Sequence, residues 1–80
     1  MIVTVYARPG CHLCDEALAG LVQVAAEHPG LEVEEVDIEG DDGLFKRYLE
    51  RIPVVAIGEE VLCELVFDRE AVETRLGQIR

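Results

Sequence analysis

Two of the three cysteines in this 80-residue chain stand close together as Cys11-His12-Leu13-Cys14, and the third, Cys63, lies far down the chain. A thiol attacks only as its thiolate, and two thiols about one helical turn apart can pass a disulfide between them. The first would attack a substrate disulfide, the second would displace the mixed disulfide, and electrons would move in pairs. The same C-x-x-C spacing also serves metals. Against that use, there is no second C-x-x-C, and His12 tends to point away from both cysteines at a turn, which leaves a tetrahedral site short of ligands. No Ser-His-Asp arrangement is supported by spacing, and Gly40 and Gly43 sit among acids that would repel phosphate.

The chemistry needs a scaffold, and the hydrophobic pattern supplies one. Met1 to Tyr6 (MIVTVY) is short, β-branched and apolar, as expected of a central strand buried on both faces. Arg8-Pro9-Gly10 is turn chemistry. From Cys11 onward Leu13, Ala17, Leu18, Leu21, Val22, Val24 and Ala25 recur at helical spacing, with His28 in the last turn and Pro29-Gly30 as the stop. Leu31 to Ile38 alternates apolar and acidic residues, slipping phase at Glu34-Glu35, and reads as a second strand parallel to the first. Asp41 or Asp42 can cap a second helix whose inner face is Leu44, Phe45, Tyr48 and Leu49, ending before Ile52-Pro53. Pro53 to Ile57 and Glu60 to Val66 form an antiparallel pair around a Gly58-Glu59 turn. Asp68 caps a closing helix carrying Ala71, Val72, Leu76 and Ile79. The order is β-α-β-α-β-β-α, and the expected core joins Val3, Val5, Leu18, Leu21, Val55, Ile57 and Leu76.

The C-x-x-C therefore follows a strand and opens the first helix of a βαβ unit, the context in which it reads as a redox dithiol. Unpaired backbone N–H groups and the positive end of the helix dipole favour the thiolate of Cys11. Asp15 and Glu16 in the same first turn oppose it.

Composition narrows the classes further. Half the residues are hydrophobic, enough for one small core, so residues 1–80 are expected to fold as a single domain. Seventeen acids against seven basic residues give a formal charge of −10, which argues against nucleic acid and anionic membranes and for a protein partner with a basic face. The longest apolar stretch, Leu18 to Ala26, is broken by Gly20 and Gln23 and is too short for a membrane span. The cysteines are too few and too clustered for a secreted disulfide framework, and Met1 to Val5 carry no basic leader, so the expected location is cytoplasmic.

With YARPGCHLCDEA after the first strand, a proline opening the third strand and this element order, the chain resembles the glutaredoxin branch of the thioredoxin superfamily. The resemblance covers nearly the whole chain. It implies a thioredoxin-like α/β fold, a four-stranded mixed sheet with helices on both faces. It also implies a thiol-disulfide oxidoreductase with Cys11 as nucleophile and Cys14 as resolving thiol, and the chain is expected to be a monomer. Pro53 would be a cis-proline that, with Ile52, presents backbone groups to a bound peptide or glutathione. Arg8 stands where glutaredoxins commonly carry a basic residue, either favouring the Cys11 thiolate or simply solvated, and His12 either adds charge or acts as a spacer. No tightly bound cofactor or metal is expected; a disulfide-containing protein is the expected substrate, with a reductase or glutathione as electron donor. Two departures bear on the donor: Cys63-Glu64 replaces a Gly-Gly pair and Arg51-Ile52-Pro53 replaces Thr-Val-Pro. Glu64 would oppose anionic glutathione, and the basic cluster Lys46, Arg47 and Arg51 could offset it. The alternatives are a non-catalytic binding module on the same fold and a dimer bridging an iron-sulfur cluster through Cys11.

Overall fold

The structure is a computed structural model that describes residues 1–78. Strand β1 (Ile2–Ala7) is central, and its alternation decides the layers: Val3, Val5 and Ala7 are buried toward one face, while Thr4 and Tyr6 face the other. Helix α1 (His12–Glu27) returns the chain to β2 (Glu32–Asp37), which lies parallel to β1 at the sheet edge. A single turn (Ile38–Gly40) and helix α2 (Asp42–Tyr48) cross to β3 (Val54–Ile57), which pairs antiparallel with β1. A hairpin leads into β4 (Glu60–Glu64), and α3 (Arg69–Gly77) closes the described chain. The sheet order is β2-β1-β3-β4, a mixed four-stranded thioredoxin-like sheet with helices on both faces.

Each element begins where a capping or turn residue permits it. Cys11, Asp41 and Asp68 each occupy an N-cap and accept a backbone N–H from three residues on, in Cys14, Leu44 and Ala71. Gly58 turns the β3–β4 hairpin at φ +59, which a side chain adopts only with strain.

Two apolar layers sandwich the sheet. On one face α1 and α3 pack Ala17, Leu21, Val24 and Val72 against Val3, Val5 and Val55. On the other, α2 packs Tyr48 against Ile38 and Val54, with Tyr6 stacked on Tyr48 at 4.7 Å between ring centroids. Three of the expected core residues, Leu18, Ile57 and Leu76, are half-buried at the margin of the first layer.

The structure corrects several expectations drawn from the sequence. Helical spacing puts Leu13 and Val22 on the inner face of α1, yet they are 44% and 56% exposed, because the buried stripe is Cys14, Ala17, Leu21 and Val24. Adding Leu13 or Val22 would widen that stripe beyond the one face that meets the sheet. Leu49 lies at the α2 C-cap and is exposed, since the chain turns there toward Arg51. Strand β4 stops at Glu64 instead of Val66, because Leu65 takes φ 70 and leaves the ladder. Ile79 lies outside the described residues.

Leu21 is fully buried between α1 and the sheet, so Leu21→Ala is expected to cost about 2–5 kcal/mol in denaturant unfolding. An unchanged midpoint and slope would contradict the burial of this face of α1. Gly20 is the sharper case. A Cβ there would stand 2.4 Å from a carbon of the Phe67 ring, so Gly20→Ala is expected to destabilise even though alanine favours a helix interior by roughly 1 kcal/mol over glycine. A net gain in stability would show that Phe67 swings off α1 at little cost.

Candidate active site

The loop Arg8-Pro9-Gly10 carries the chain from the end of β1 to the start of α1, and Gly10 makes the turn at φ +80. Cys11 then takes the N-cap with extended backbone, and its Sγ accepts the Cys14 N–H at 3.2 Å. This places sulfur at the end of the helix where backbone donors are unpaired, the environment that favours a thiolate over a thiol. Cys11 and Cys14 are joined as a disulfide with their Cα atoms 5.2 Å apart. The two sulfurs differ in access: Cys11 is half-exposed, whereas Cys14 is 2% exposed and packs under the first turn. One thiol can meet a macromolecular disulfide and the other can reach only its neighbour.

Strand register brings the Ile52-Pro53 loop to the same end of the sheet. Because Tyr6 pairs with Val54, the start of β3 lies beside the end of β1, where the Cys11 loop departs. The Ile52–Pro53 peptide bond is cis, as the resemblance implies, and Pro53 is buried. The Leu65 N–H donates to both the Arg51 and Pro53 carbonyls, at 3.0 and 3.1 Å, which ties this loop to the end of β4. The Ile52 N–H donates to the Tyr48 carbonyl at 2.9 Å, and the Ile52 carbonyl accepts no hydrogen bond among the described residues. Leu13 in the first turn of α1 and Leu65 and Val66 just after β4 are 44%, 51% and 63% exposed. The hydrophobic pattern assigns these residues to a helix interior and a strand, so their exposure is invisible to it.

The charged residues are committed elsewhere. Arg8 is paired with Glu39 at 2.7 Å and leans over Phe45 at 5.8 Å, so its guanidinium has a carboxylate of its own beside the Cys11 loop. His12 is solvent-exposed and lies 3.5 Å from Glu16, one turn along α1. Arg51 and Glu64, which sequence reasoning treats as two separate influences, form a pair: Nε and Nη2 donate to one Glu64 oxygen at 2.7 and 2.5 Å. Arg51 also lies over Tyr48 at 5.3 Å, and the bonded carboxylate holds the guanidinium more firmly protonated. Lys46 and Arg47 stay on the exposed face of α2, and Arg47 lies over the same Tyr48 ring, at 5.9 Å.

Cys63 takes no part in the dithiol. It packs half-buried against the α1–α3 layer, and its Sγ receives the Asp68 N–H at 3.5 Å. Burial pushes its thiol up, with the Asp68 N–H partly opposing. A cavity of about 200 Å³ beside the Cys11 loop is lined by Ala7, Arg8, Pro9, Asp15, Glu35 and Asp37, three of the six being acids. Among the described residues no group of three or more His, Cys, Asp or Glu is arranged to hold a metal ion, and no helix is long and apolar enough to cross a membrane.

Comparison with known proteins agrees with this arrangement. The Glutaredoxin-like domain (DUF836) family matches residues 2–77. The solution structure of protein Ne2328 from Nitrosomonas europaea is 33% identical, with a TM-score of 0.77 over 91% of this chain and 87% of that one. The X-ray structure of XcR50 from X. campestris is 29% identical over 98% and 99% of the two chains, with a TM-score of 0.73. Oxidised mitochondrial thioredoxin 3 from Saccharomyces cerevisiae shares 13% identity and a TM-score of 0.67 over 98% of this chain and 77% of its own, a likeness of fold. A search of curated proteins returned no match. Matched along almost its entire length, with a C-x-x-C disulfide at the start of its first helix, the chain belongs to the glutaredoxin-like domain family.

Proposed function

We propose that the protein is a dithiol oxidoreductase that reduces disulfides on protein substrates. The observation that carries this reading is the asymmetry of the dithiol: Cys11 is partly exposed at a helix N-cap with its Sγ bonded to a backbone N–H, and Cys14 is buried and within disulfide reach. In the reduced protein the Cys11 thiolate attacks one sulfur of the substrate disulfide. That S–S bond breaks, a mixed disulfide forms, and the first substrate sulfur leaves as a thiolate that takes a proton from solvent. Cys14 then gives up its proton and attacks Cys11 Sγ. The second substrate thiol is released, the Cys11–Cys14 disulfide forms, and two electrons have passed to the substrate.

The surroundings support a protein as substrate. The exposed apolar side chains of Leu13, Leu65 and Val66 can be covered by a partner surface, and the Ile52 carbonyl can accept a backbone N–H from it. The acids around the neighbouring cavity and the charge of −10 favour a cationic segment on that partner. The same field lowers the local concentration of an anionic thiol, so glutathione serves poorly as electron donor and a protein reductase is the better fit. The cycle belongs in a reducing compartment such as the cytosol, where the dithiol is regenerated.

Cys11→Ser is expected to abolish reduction of a protein disulfide, and Cys14→Ser to accumulate a mixed disulfide with substrate, seen as a mass adduct removed by reductant. Turnover retained by Cys11→Ser would exclude this chemistry, while inactivity of the wild type with intact dithiols would favour a binding module. Alkylation of the reduced protein near neutral pH should modify Cys11 first. Cys63, whose raised pKa keeps it protonated, should react appreciably only above the ordinary thiol range. Peptide mapping against time tests the order, and early labelling of Cys63 would contradict its burial.

A further inference from the structure

Two arginines at the dithiol end of the sheet are occupied by glutamates of the same chain, Arg8 by Glu39 and Arg51 by Glu64. The second pair is the better built. The Leu65 N–H clamps the backbone on either side of it, through the Arg51 and Pro53 carbonyls. The guanidinium rests on the Tyr48 ring, and a register shift between Val55 and Ala56 sets Glu64 opposite Val54, on the sheet face that carries Tyr48 and Arg51. A guanidinium beside an exchanging disulfide is a natural seat for a carboxylate on the substrate. In this chain the seat holds an internal carboxylate.

Building on the dithiol reading above, we propose that Glu64 is an internal competitor for Arg51, which makes the dithiol face discriminate against disulfides flanked by a carboxylate and in favour of neutral ones. An external carboxylate must displace one that is tethered in place, and a tether of this kind acts as a high effective concentration. Once displaced, Glu64 would remain nearby as an unpaired like charge, a second penalty on the same ligand. A neutral disulfide meets neither obstacle. Glu64→Gln removes the competing charge at nearly constant shape and leaves Arg51 free to receive a substrate carboxylate.

Two measurements test this. In the first, reduced protein is mixed with hydroxyethyl disulfide, which is neutral, or with dithiodipropionate, which is anionic, and remaining thiol is counted after an alkylating quench. Glu64→Gln is expected to raise the ratio of anionic to neutral rate by about threefold or more at low ionic strength, with the gain shrinking as salt is added. The further change Arg51→Gln in that variant should remove the gain, and Arg51→Gln alone should push the ratio below wild type. In the second, the Arg51 Nε–H resonance of oxidised protein is followed during titration with S-methylglutathione, which cannot exchange. No saturable shift is expected in wild type, and a saturable shift in Glu64→Gln. A wild-type amide spectrum for each variant shows that it is folded. The inference is overturned by an unchanged ratio in Glu64→Gln, by a gain that survives loss of Arg51, or by a wild-type Arg51 resonance that already saturates. Should the wild type consume neither disulfide, the dithiol reading fails, and the titration still decides what Glu64 does to Arg51.

Discussion

The pairing of Tyr6 with Val54 is the constraint on which the rest of the site depends. It sets the carboxyl end of β1 beside the amino end of β3, so two loops far apart in sequence, Arg8–Cys11 and Arg51–Pro53, leave the sheet side by side. The pair holds because each of its residues is packed on the α2 face: Val54 is fully buried, and Tyr6 stacks on the buried Tyr48. On the opposite face, Val5 and Val55 hold the same two strands against Leu21. A slip of β3 by one residue would turn Val54 and Val55 to the wrong layers, so the register of the site is fixed by the cores on both sides.

Four of the chain's seven Lys and Arg residues are paired internally. Arg8, Arg51, Arg69 and Arg75 each meet a glutamate from another element, in Glu39, Glu64, Glu27 and Glu60, and Arg69 also meets Glu73 within α3. These pairs are exposed and individually weak. Their larger consequence is electrostatic: with these four arginines neutralised where they stand, the surplus of acids projects an almost unrelieved negative field, carried especially by Glu32, Glu34, Glu35 and Asp37 on the edge strand β2. That field both guards the open edge against pairing with another sheet and attracts cationic surfaces.

Much of the fold is legible in the sequence because local rules and global packing agree. The N-caps at Asp41 and Asp68, the Pro29-Gly30 stop and the Gly58-Glu59 turn all stand where residue type alone puts them. The dithiol is legible for the same reason, since a C-x-x-C that opens a helix needs no knowledge of distant contacts. The Arg51–Glu64 pair is not. A two-residue turn without irregularity would set Cys63 opposite Val54, whereas the shift between Val55 and Ala56 moves Cys63 opposite Val55 and Glu64 opposite Val54. One extra residue in β4 thus sends Cys63 into the α1–α3 layer and Glu64 to Arg51, and no residue type in that stretch announces it. The exposure of Leu13 and Val22 is hidden differently: apolar residues at helical spacing mark a face, but how much of that face is covered depends on the width of the sheet beneath it.

On the proposed dithiol reading, activation of the nucleophile and choice of substrate are carried by separate physics. The Cys11 sulfur receives a backbone N–H at 3.2 Å, a fixed short-range dipole, and Arg8 in the preceding loop is bound to Glu39. Salt screens interactions between exposed charges over several ångströms but acts little on a hydrogen bond in direct contact. On that reading the reactivity of Cys11 rests on helix geometry and is largely insulated from ionic strength, while an encounter with a partner would rest on the acidic field and be exposed to it. A chain arranged in this way can drift in surface charge, and so in partner, without disturbing the dithiol, because the groups that hold the sulfur are the backbone of α1 and the packed layer beneath Cys14.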